Sequence, residues 1–395
     1  MGKLLNVSLF ASMVLSSSLY AQSIIESIEA STVKGEVKTE YSNSNYLGKT
    51  DADDIWAAGA SLNVITGDFY GFKLGATLQA SSVLSEDNNG GVFANDLNGS
   101  GVALSEAYID YSLANTNLKL GRQYIYTPLV STAIDGKSSE SVLKDSFNAY
   151  VLTNADIPNT TVVAGYINKY QAKTDGNSNE GDFERFQDGA YTIYAKNTSI
   201  ENLTLQAQYL NENGVTSSND KSALYFQADY QLSAHTLSAQ FLKSKDKTQA
   251  ANAQDGKLFG LRAMGPLGLG KAGYLLAFNT STDDNGPLYL GAGAGTTDTP
   301  FTALPVHGGG VPVRANTDTL VGGVVIPVLG ATVIPYVGQS ASKTHALGDV
   351  NAMGAMVIYP VNKQLVVKVN FENVDIEKTM PKSTDTTRIY LSYKF

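Results

Sequence analysis

The sequence predicts an all-β chain, a transmembrane antiparallel up-and-down β-barrel of about eighteen strands, with sixteen the nearest alternative. Three observations carry that expectation: a terminal strand with one apolar face ending on Phe395, an apolar N-terminal leader, and a regular alternation of short and long gaps between strand-like runs. In the terminal strand Thr387, Ile389, Leu391, Tyr393 and Phe395 alternate with Arg388, Tyr390, Ser392 and Lys394. One face is therefore greasy and the other polar, the pattern of a wall between lipid and water.

The leader comes next. Met1, Gly2 and Lys3 form a positive start, residues 4–20 are mostly apolar or small, and Leu19, Tyr20 and Ala21 precede Gln22 as a cleavage site. Residues 1–21 are read as a signal peptide, 22–32 as a short periplasmic segment with a helical stub around Ile24 to Ile28, and 33–395 as the barrel. A permanent anchor is the rival reading, but the run is shorter than the roughly 20 residues that a span requires. Leader and barrel together place the mature chain in the outer membrane of a Gram-negative bacterium. A final strand ending on Phe395 is the feature that outer-membrane assembly machinery would engage.

Composition narrows the partners. A net charge of -9 argues against nucleic acid, whose phosphates such a surface repels. The chain has no Cys, so stability is expected from sheet closure and burial in lipid rather than from disulfides. At 395 residues without a Pro- or Ser-rich linker, one large closed sheet is a better fit than several domains.

Strand-like runs begin near 33, 55, 69, 103, 116, 147, 161, 189, 202, 222, 235, 257, 271, 320, 331, 349, 364 and 386. Period-two alternation is clearest where Val33, Val37 and Tyr41 oppose Lys34, Glu36, Lys38 and Glu40, and where Val367, Val369 and Phe371 oppose Lys368, Asn370 and Glu372. It is weakest near 147 and 257. A soluble sandwich alternates in the same way, but the gaps separate the two. Brief turns such as 66–68, 114–115, 199–201, 233–234 and 360–363 follow every even strand, and long polar stretches near 42–54, 81–102, 124–146, 171–188, 212–221, 244–256, 281–319, 341–348 and 375–385 follow every odd one. Short periplasmic turns and long external loops produce this rhythm, and an even count returns both termini to the periplasm. Ten residues rising about 3.3 Å each at a tilt of about 45° cover roughly 23 Å, close to the ~25 Å band that lipid requires. Tyr41, Phe69, Tyr70, Tyr111, Tyr170, Tyr209, Tyr230, Tyr359, Tyr393 and Phe395 gather at strand ends as aromatic girdles.

One run resists. Residues 320–338 are almost wholly apolar and long enough for a membrane helix. Pro327 and Pro335 would break a helix interior, β-branched residues dominate, and Leu329-Gly330 offers a turn, so two strands and a hairpin are expected, with a bulge near the prolines.

A barrel of this size encloses a lumen too wide for side chains to fill, and the stretch before the first strand is too short for a plug domain. A constriction must then come from a loop. The third long connection, 124–146, is the candidate; it carries Asp135, Lys137, Glu140, Lys144 and Asp145. Parity points Lys34, Glu36, Lys38, Glu40, Lys73, Asp110, Lys119, Asp229, Arg262, Lys368, Glu372, Arg388 and Lys394 into the lumen, because an Arg or Lys facing mid-bilayer costs about 2–4 kcal/mol. Lys119, Arg262, Lys368 and Arg388 are the candidate pore-wall cations, and loop carboxylates facing them would set up a transverse field. Arg122 joins them as a candidate although it shares parity with Leu118 and Leu120; either a bulge turns it inward beside the loop or it lies beyond the lipid band.

Around this loop the chain resembles the OprD-like porins and related epsilonproteobacterial outer-membrane porins. The resemblance rests on Leu118-Lys119-Leu120-Gly121-Arg122-Gln123, then Thr127-Pro128-Leu129-Val130, then Ser146-Phe147-Asn148-Ala149-Tyr150, which are similar to that family's strand, infolded loop and next strand. It implies a passive channel for ions and small hydrophilic solutes, narrowed by the infolded loop. The family's row of wall arginines is not matched: only Arg122, Arg185, Arg262, Arg314 and Arg388 exist, so its solute preference does not transfer. Membrane lipid and lipopolysaccharide are the expected surroundings, a homotrimer is one possible assembly, and no cofactor is implied.

Other functions receive less support. His235, His307 and His345 lie at a turn and in two loops without a periodic link to a nucleophile, so no enzyme is expected. Gly291-Ala292-Gly293-Ala294-Gly295 mimics a phosphate loop but lacks a following helix and reads as a flexible external loop. Asp51, Asp53 and Asp54, like Asp283 and Asp284, read as solvated loop acids rather than a Ca²⁺ site. The alternatives to a diffusion pore are a surface adhesin, through long loops such as 281–319, and a substrate-specific outer-membrane transporter.

Overall fold

The computed structural model describes residues 23–45, 53–87, 97–281, 286–343, 346, 348–379 and 383–395. The expected signal peptide 1–21, Asp51, Asp283, Asp284 and His345 lie outside them. A short helix α1 (Ile24–Glu29) precedes the sheet, closed by a capping box in which the Glu26 amide donates to Ser23 Oγ and the Ser23 amide to Glu26 Oε2. It is the stub that the sequence predicts.

The strands then run β1 (Thr32–Ser44), β2 (Asp53–Ile65), β3 (Phe72–Asp87), β4 (Gly101–Leu113), β5 (Thr116–Gln123), two short pieces β6 (Tyr126–Thr127) and β7 (Val130–Ser131), β8 (Ser146–Asn154), β9 (Thr160–Gln171) and β10 (Phe183–Asn197). They continue with β11 (Leu203–Glu212), β12 (Lys221–Leu232), β13 (His235–Asp246), β14 (Asp255–Pro266), β15 (Gly273–Ser281), β16 (Thr317–Val328), β17 (Ala331–Ser342), β18 (Val350–Pro360), β19 (Leu365–Ile376) and β20 (Ser383–Lys394). Apart from β6 and β7, the described strands form one antiparallel sheet of eighteen, each paired with its sequence neighbours. β1 pairs with β20 as well as β2, which closes the barrel. Closure extends to the last residue, where Phe395 and Gly35 exchange backbone hydrogen bonds of 3.0 and 2.8 Å.

Short and long connections alternate as the sequence predicts, and β1 starts and β20 ends on the short-turn side. Parity holds around the wall: Val33 and Val37 are more than half exposed outside, while Lys38 and Glu40 are 4% and 0% exposed inside. Two strands are longer than expected. β3 reaches Asp87 and β10 starts at Phe183, so parts of the expected loops 81–102 and 171–188 are ladder instead. Their polar composition hid them, since a strand beyond the lipid band has no need of an apolar face.

The 320–338 run is two strands joined at Leu329 and Gly330, with φ of 49° and 83°. Positive φ at both central residues is what a tight antiparallel hairpin requires. The expected bulge is absent: pairing resumes from Gly323–Tyr336 to Ile326–Val333 in unchanged register. A proline removes a ladder donor without demanding an extra residue.

Bulges occur elsewhere. One, between Asn148 and Ala149 on β8 and Lys169 and Ile167 on β9, leaves Asn168 unpaired and reverses the parity beyond it. Tyr170 is therefore a lumen residue donating to Asp145 at 2.9 Å, not part of an outer aromatic girdle.

Candidate pore constriction

The segment 124–146 is fastened at both ends to inward-facing wall. Its β6–β7 tip buries Leu129 and Val130 among Phe147, Leu210, Tyr225, Leu242 and Leu258. Gln208 of β11 fixes the tip by accepting from the Leu129 amide at 2.8 Å and donating to Thr127 Oγ1 at 2.8 Å.

The charged half of the segment meets β1, β19 and β20. Lys38 Nζ lies 3.0 Å from Asp135 and 3.5 Å from Glu140, and donates to the Ser141 carbonyl at 3.2 Å. Lys368 Nζ pairs with Glu140 and Arg388 Nη1 donates to the Ser138 carbonyl at 2.8 Å. Lys144 pairs with Asp135 at 3.0 Å. Glu140 and Lys368 are about 5% exposed, whereas the Asp135 side chain retains 34%. Loop carboxylates thus neutralise Lys38 and Lys368, and a loop carbonyl accepts from Arg388, on a wall where these cations would otherwise face the lumen. Desolvation opposes ionisation of Asp135, but the ammonium groups of Lys144, Lys38 and Lys394 outweigh it and hold the carboxyl well below the usual range.

Asp145 has the opposite environment. It is fully buried and accepts from the Ala133 amide at 2.6 Å, the Tyr170 hydroxyl at 2.9 Å and the Ala294 amide at 2.9 Å. Burial pushes its carboxyl up against those three donors.

Of the candidates, Asp135, Glu140, Lys144, Lys368 and Arg388 converge; Asp145 is held apart from them by Ala133, Tyr170 and Ala294, and the others do not join. Lys137 stays exposed. Lys119 of β5 pairs with Glu106 of β4 at 3.6 Å and lies over the Tyr108 ring. Arg262 is 3.7 Å from Asp229 and stacks on Phe301 at 4.2 Å. Arg122 keeps the parity of Leu120, donates to Ser146 Oγ at 3.0 Å and stacks on Phe183 at 4.1 Å, at the external rim of β5.

The sequence reading missed several partners. Asn98 and Gln79 hold the segment through the Val142 and Lys144 amides at 2.7 and 3.0 Å. The larger omission is the connection after β15, expected to be a flexible external loop. Its Ala292 amide donates to the Leu129 carbonyl at 3.0 Å and its Ala292 carbonyl accepts from Ser131 at 2.9 Å. Asp298 accepts from the amides and hydroxyls of Ser138 and Ser139 at 2.6–3.3 Å. Further on, Glu372 of β19 accepts from the Val306 and His307 amides, the His307 ring and the Tyr336 hydroxyl. The glycine run was the available signal. A Cβ at Gly291, Gly293 or Gly295 would meet the Leu129, Ser131 or Thr132 carbonyl at 2.2–2.3 Å, so alternate glycines let two backbones touch.

Wall polarity is uneven. Towards the short-turn end, Met264, Leu275, Val325, Ile334, Met356 and Ile358 share the inward face of five adjacent strands and are half-buried. Across the barrel stand Glu106, Asp110 and Lys119.

No protein-family model matches the chain, and no curated protein matches it. Solved structures do match in shape. Pseudomonas aeruginosa OpdO superposes with a TM-score of 0.73 at 14% identity, over 94% of this chain and 98% of that one. The Pseudomonas aeruginosa outer membrane protein OpdK gives 0.73 at 14% identity over 93% and 99%. Pseudomonas aeruginosa OccK2 (OpdF), solved in complex with glucuronate, gives 0.71 at 14% identity over 93% and 98%. At such identities the likeness speaks to architecture, and the fold this chain shares with them is the closed antiparallel barrel of eighteen strands.

Proposed function

We propose that the chain is an outer-membrane porin: a water-filled channel through which ions and small hydrophilic solutes diffuse passively, narrowed by residues 124–146 folded into the lumen. The observation that carries this reading is the meeting of Asp135 and Glu140 with Lys38 and Lys368, and of the Ser138 carbonyl with Arg388, inside a closed barrel with an apolar exterior. Such a barrel holds water rather than a packed core. The Asp298 clamp makes the connection after β15 a second contributor to the narrowing. The reading includes a cleaved signal peptide, a Gram-negative outer membrane, lipid and lipopolysaccharide around the wall, and assembly through the Phe395 strand.

The apolar sector around Ile334 and Met356 favours a narrower version, a channel with preference for partly apolar solutes. That OccK2 was solved with glucuronate makes a small organic acid a reasonable first solute to try. Single-channel recording of the refolded mature chain in a planar bilayer tests the proposal. Discrete ohmic openings, with a reversal potential under a salt gradient, are the expected result. Silence from folded protein would remove the pore reading and favour adhesion through the external loops.

A further inference from the structure

The outer wall carries a feature that pore function does not use. Arg122 of β5, Asn148 of β8, Lys169 of β9 and Arg185 of β10 form one rung, in register across four adjacent strands. It faces outward, since Tyr170 beside Lys169 points into the lumen towards Asp145. The next rung on the same face is aromatic: Tyr150 pairs with Tyr166, and Tyr166 with Tyr191. Their rings form a row, with centroids 6.2 and 4.8 Å apart, and Tyr150 and Tyr191 are exposed. Such a row marks the level at which hydrocarbon gives way to headgroups. The cationic rung stands about 6.6 Å beyond it, towards the long-loop side. That is phosphate height, where an outward cation costs least.

The packing gathers the charges. Phe183 carries the Arg122 guanidinium at 4.1 Å and the Lys169 ammonium at 5.2 Å from its ring centroid. Lys169 and Arg185 are direct cross-strand partners, and like charges so placed weaken the pairing. The counter-charges in place are modest. Arg185 pairs with Asp188 at 2.6 Å, but both side chains are exposed and such a pair contributes little. Glu180 attracts Arg122, whose Nε donates to Ser146 and whose Nη2 has no hydrogen-bond partner among the described residues. Lys169 is exposed. A phosphate supplies the bridging anion, with an arginine fork for two of its oxygens and a lysine point charge for a third.

We propose that this rim binds lipopolysaccharide, with one lipid A phosphate bridging Lys169 and Arg185 and an acyl chain lying against the tyrosine row. The proposal rests on the outer-membrane reading but not on conduction, so its test has a separate readout.

Delipidated, refolded mature chain in detergent is titrated with bisphosphorylated lipid A and bound lipid is followed by native mass spectrometry, with single-channel conductance recorded on the same preparations. Lys169→Gln with Arg185→Gln is expected to weaken lipid A binding roughly tenfold or more, with conductance unchanged. Asp188→Asn, which releases Arg185 from its carboxylate, should tighten binding. Lys243→Gln with Lys245→Gln, which removes two exposed cations from β13, should leave it unchanged. Dephosphorylated lipid A should bind wild type as poorly as intact lipid A binds the Lys169 and Arg185 variant, and inorganic phosphate alone should not displace the lipid. Unchanged binding in that variant, or an equal loss in the β13 control, would overturn the site, while discrete openings from the same protein would leave the pore reading standing. Phosphatidylglycerol competing as well as lipid A would overturn the assignment to lipopolysaccharide.

Discussion

Glu140→Gln is the sharpest perturbation of the constriction. Glu140 is 5% exposed and lies between Lys38 and Lys368 while accepting from the Gly136 amide at 2.6 Å. The amide keeps an acceptor for Gly136, and Lys38 keeps Asp135 at 3.0 Å. Lys368 loses its carboxylate partner. Removing one member of a buried pair costs about 3–5 kcal/mol, and the retained contacts argue for the lower end, about 3 kcal/mol. At about 1.4 kcal/mol per decade, the ratio of docked to released loop falls roughly a hundredfold. Asp135→Asn should do much less, because its pairs are partly solvated and such pairs contribute about 1 kcal/mol or less. Single-channel recording reads the effect of Glu140→Gln as more time in higher-conductance states, and the reversal potential reads the uncompensated charge of Lys368 as a shift towards anions. If Glu140→Gln matched wild type in open-state occupancy and reversal potential, or if Asp135→Asn had the larger effect, the locking role of this buried pair would be refuted.

Four further outcomes are expected. Asp298→Ala removes the acceptor for Ser138 and Ser139, so the connection after β15 should become cleavable by added protease while the barrel stays intact. Because the folded state depresses the Asp135 carboxyl, its stabilisation is fully present above the unfolded value near pH ~3.9 and is lost as pH falls through the lower folded value; the difference in thermal stability between wild type and Asp135→Asn should hold from about pH 7 to 5 and shrink only in stronger acid. Leu329→Asn should raise thermal stability by up to about 1 kcal/mol, because Asn tolerates the 49° φ better than Leu; a loss would argue against the hairpin. Deleting Phe395 removes a closing pair of hydrogen bonds to Gly35 and should lower the yield of folded, heat-modifiable barrel on electrophoresis.

Most of the barrel was legible because one face of each strand repeats every second residue. Period two also put Lys38, Lys368 and Arg388 on the inner wall, and the need for a loop in a lumen too wide to fill singled out the charged segment 124–146. It failed where a bulge shifts the phase, as at Tyr170, and where strands outlast the lipid band, as at Asp87. The helix-like run at 320–338 has a physical explanation: alternation vanishes there because Val325 and Ile334 face the lumen while Val324 and Val333 face outward, so both sides are apolar. Partners such as Asn98, Gln79 and Asp298 were illegible because their contacts join loops far apart in sequence, and nothing local marks which polar loop residue will meet which. The glycine run was visible, but its meaning required knowing what backbone it would approach.

In the channel proposed above, the uneven wall implies two lanes through one lumen. Hydrated ions keep their water shells best beside Glu106, Asp110 and Lys119, whereas water next to Ile334 and Met356 finds few partners and is easily displaced by the hydrocarbon part of an organic solute. Electrical current would then sample chiefly the wet lane. A molecule travelling along the other would register as a brief block of current rather than as current itself, so conductance in salt could rank candidate nutrients in the wrong order, and only a flux measurement with labelled solute would restore it.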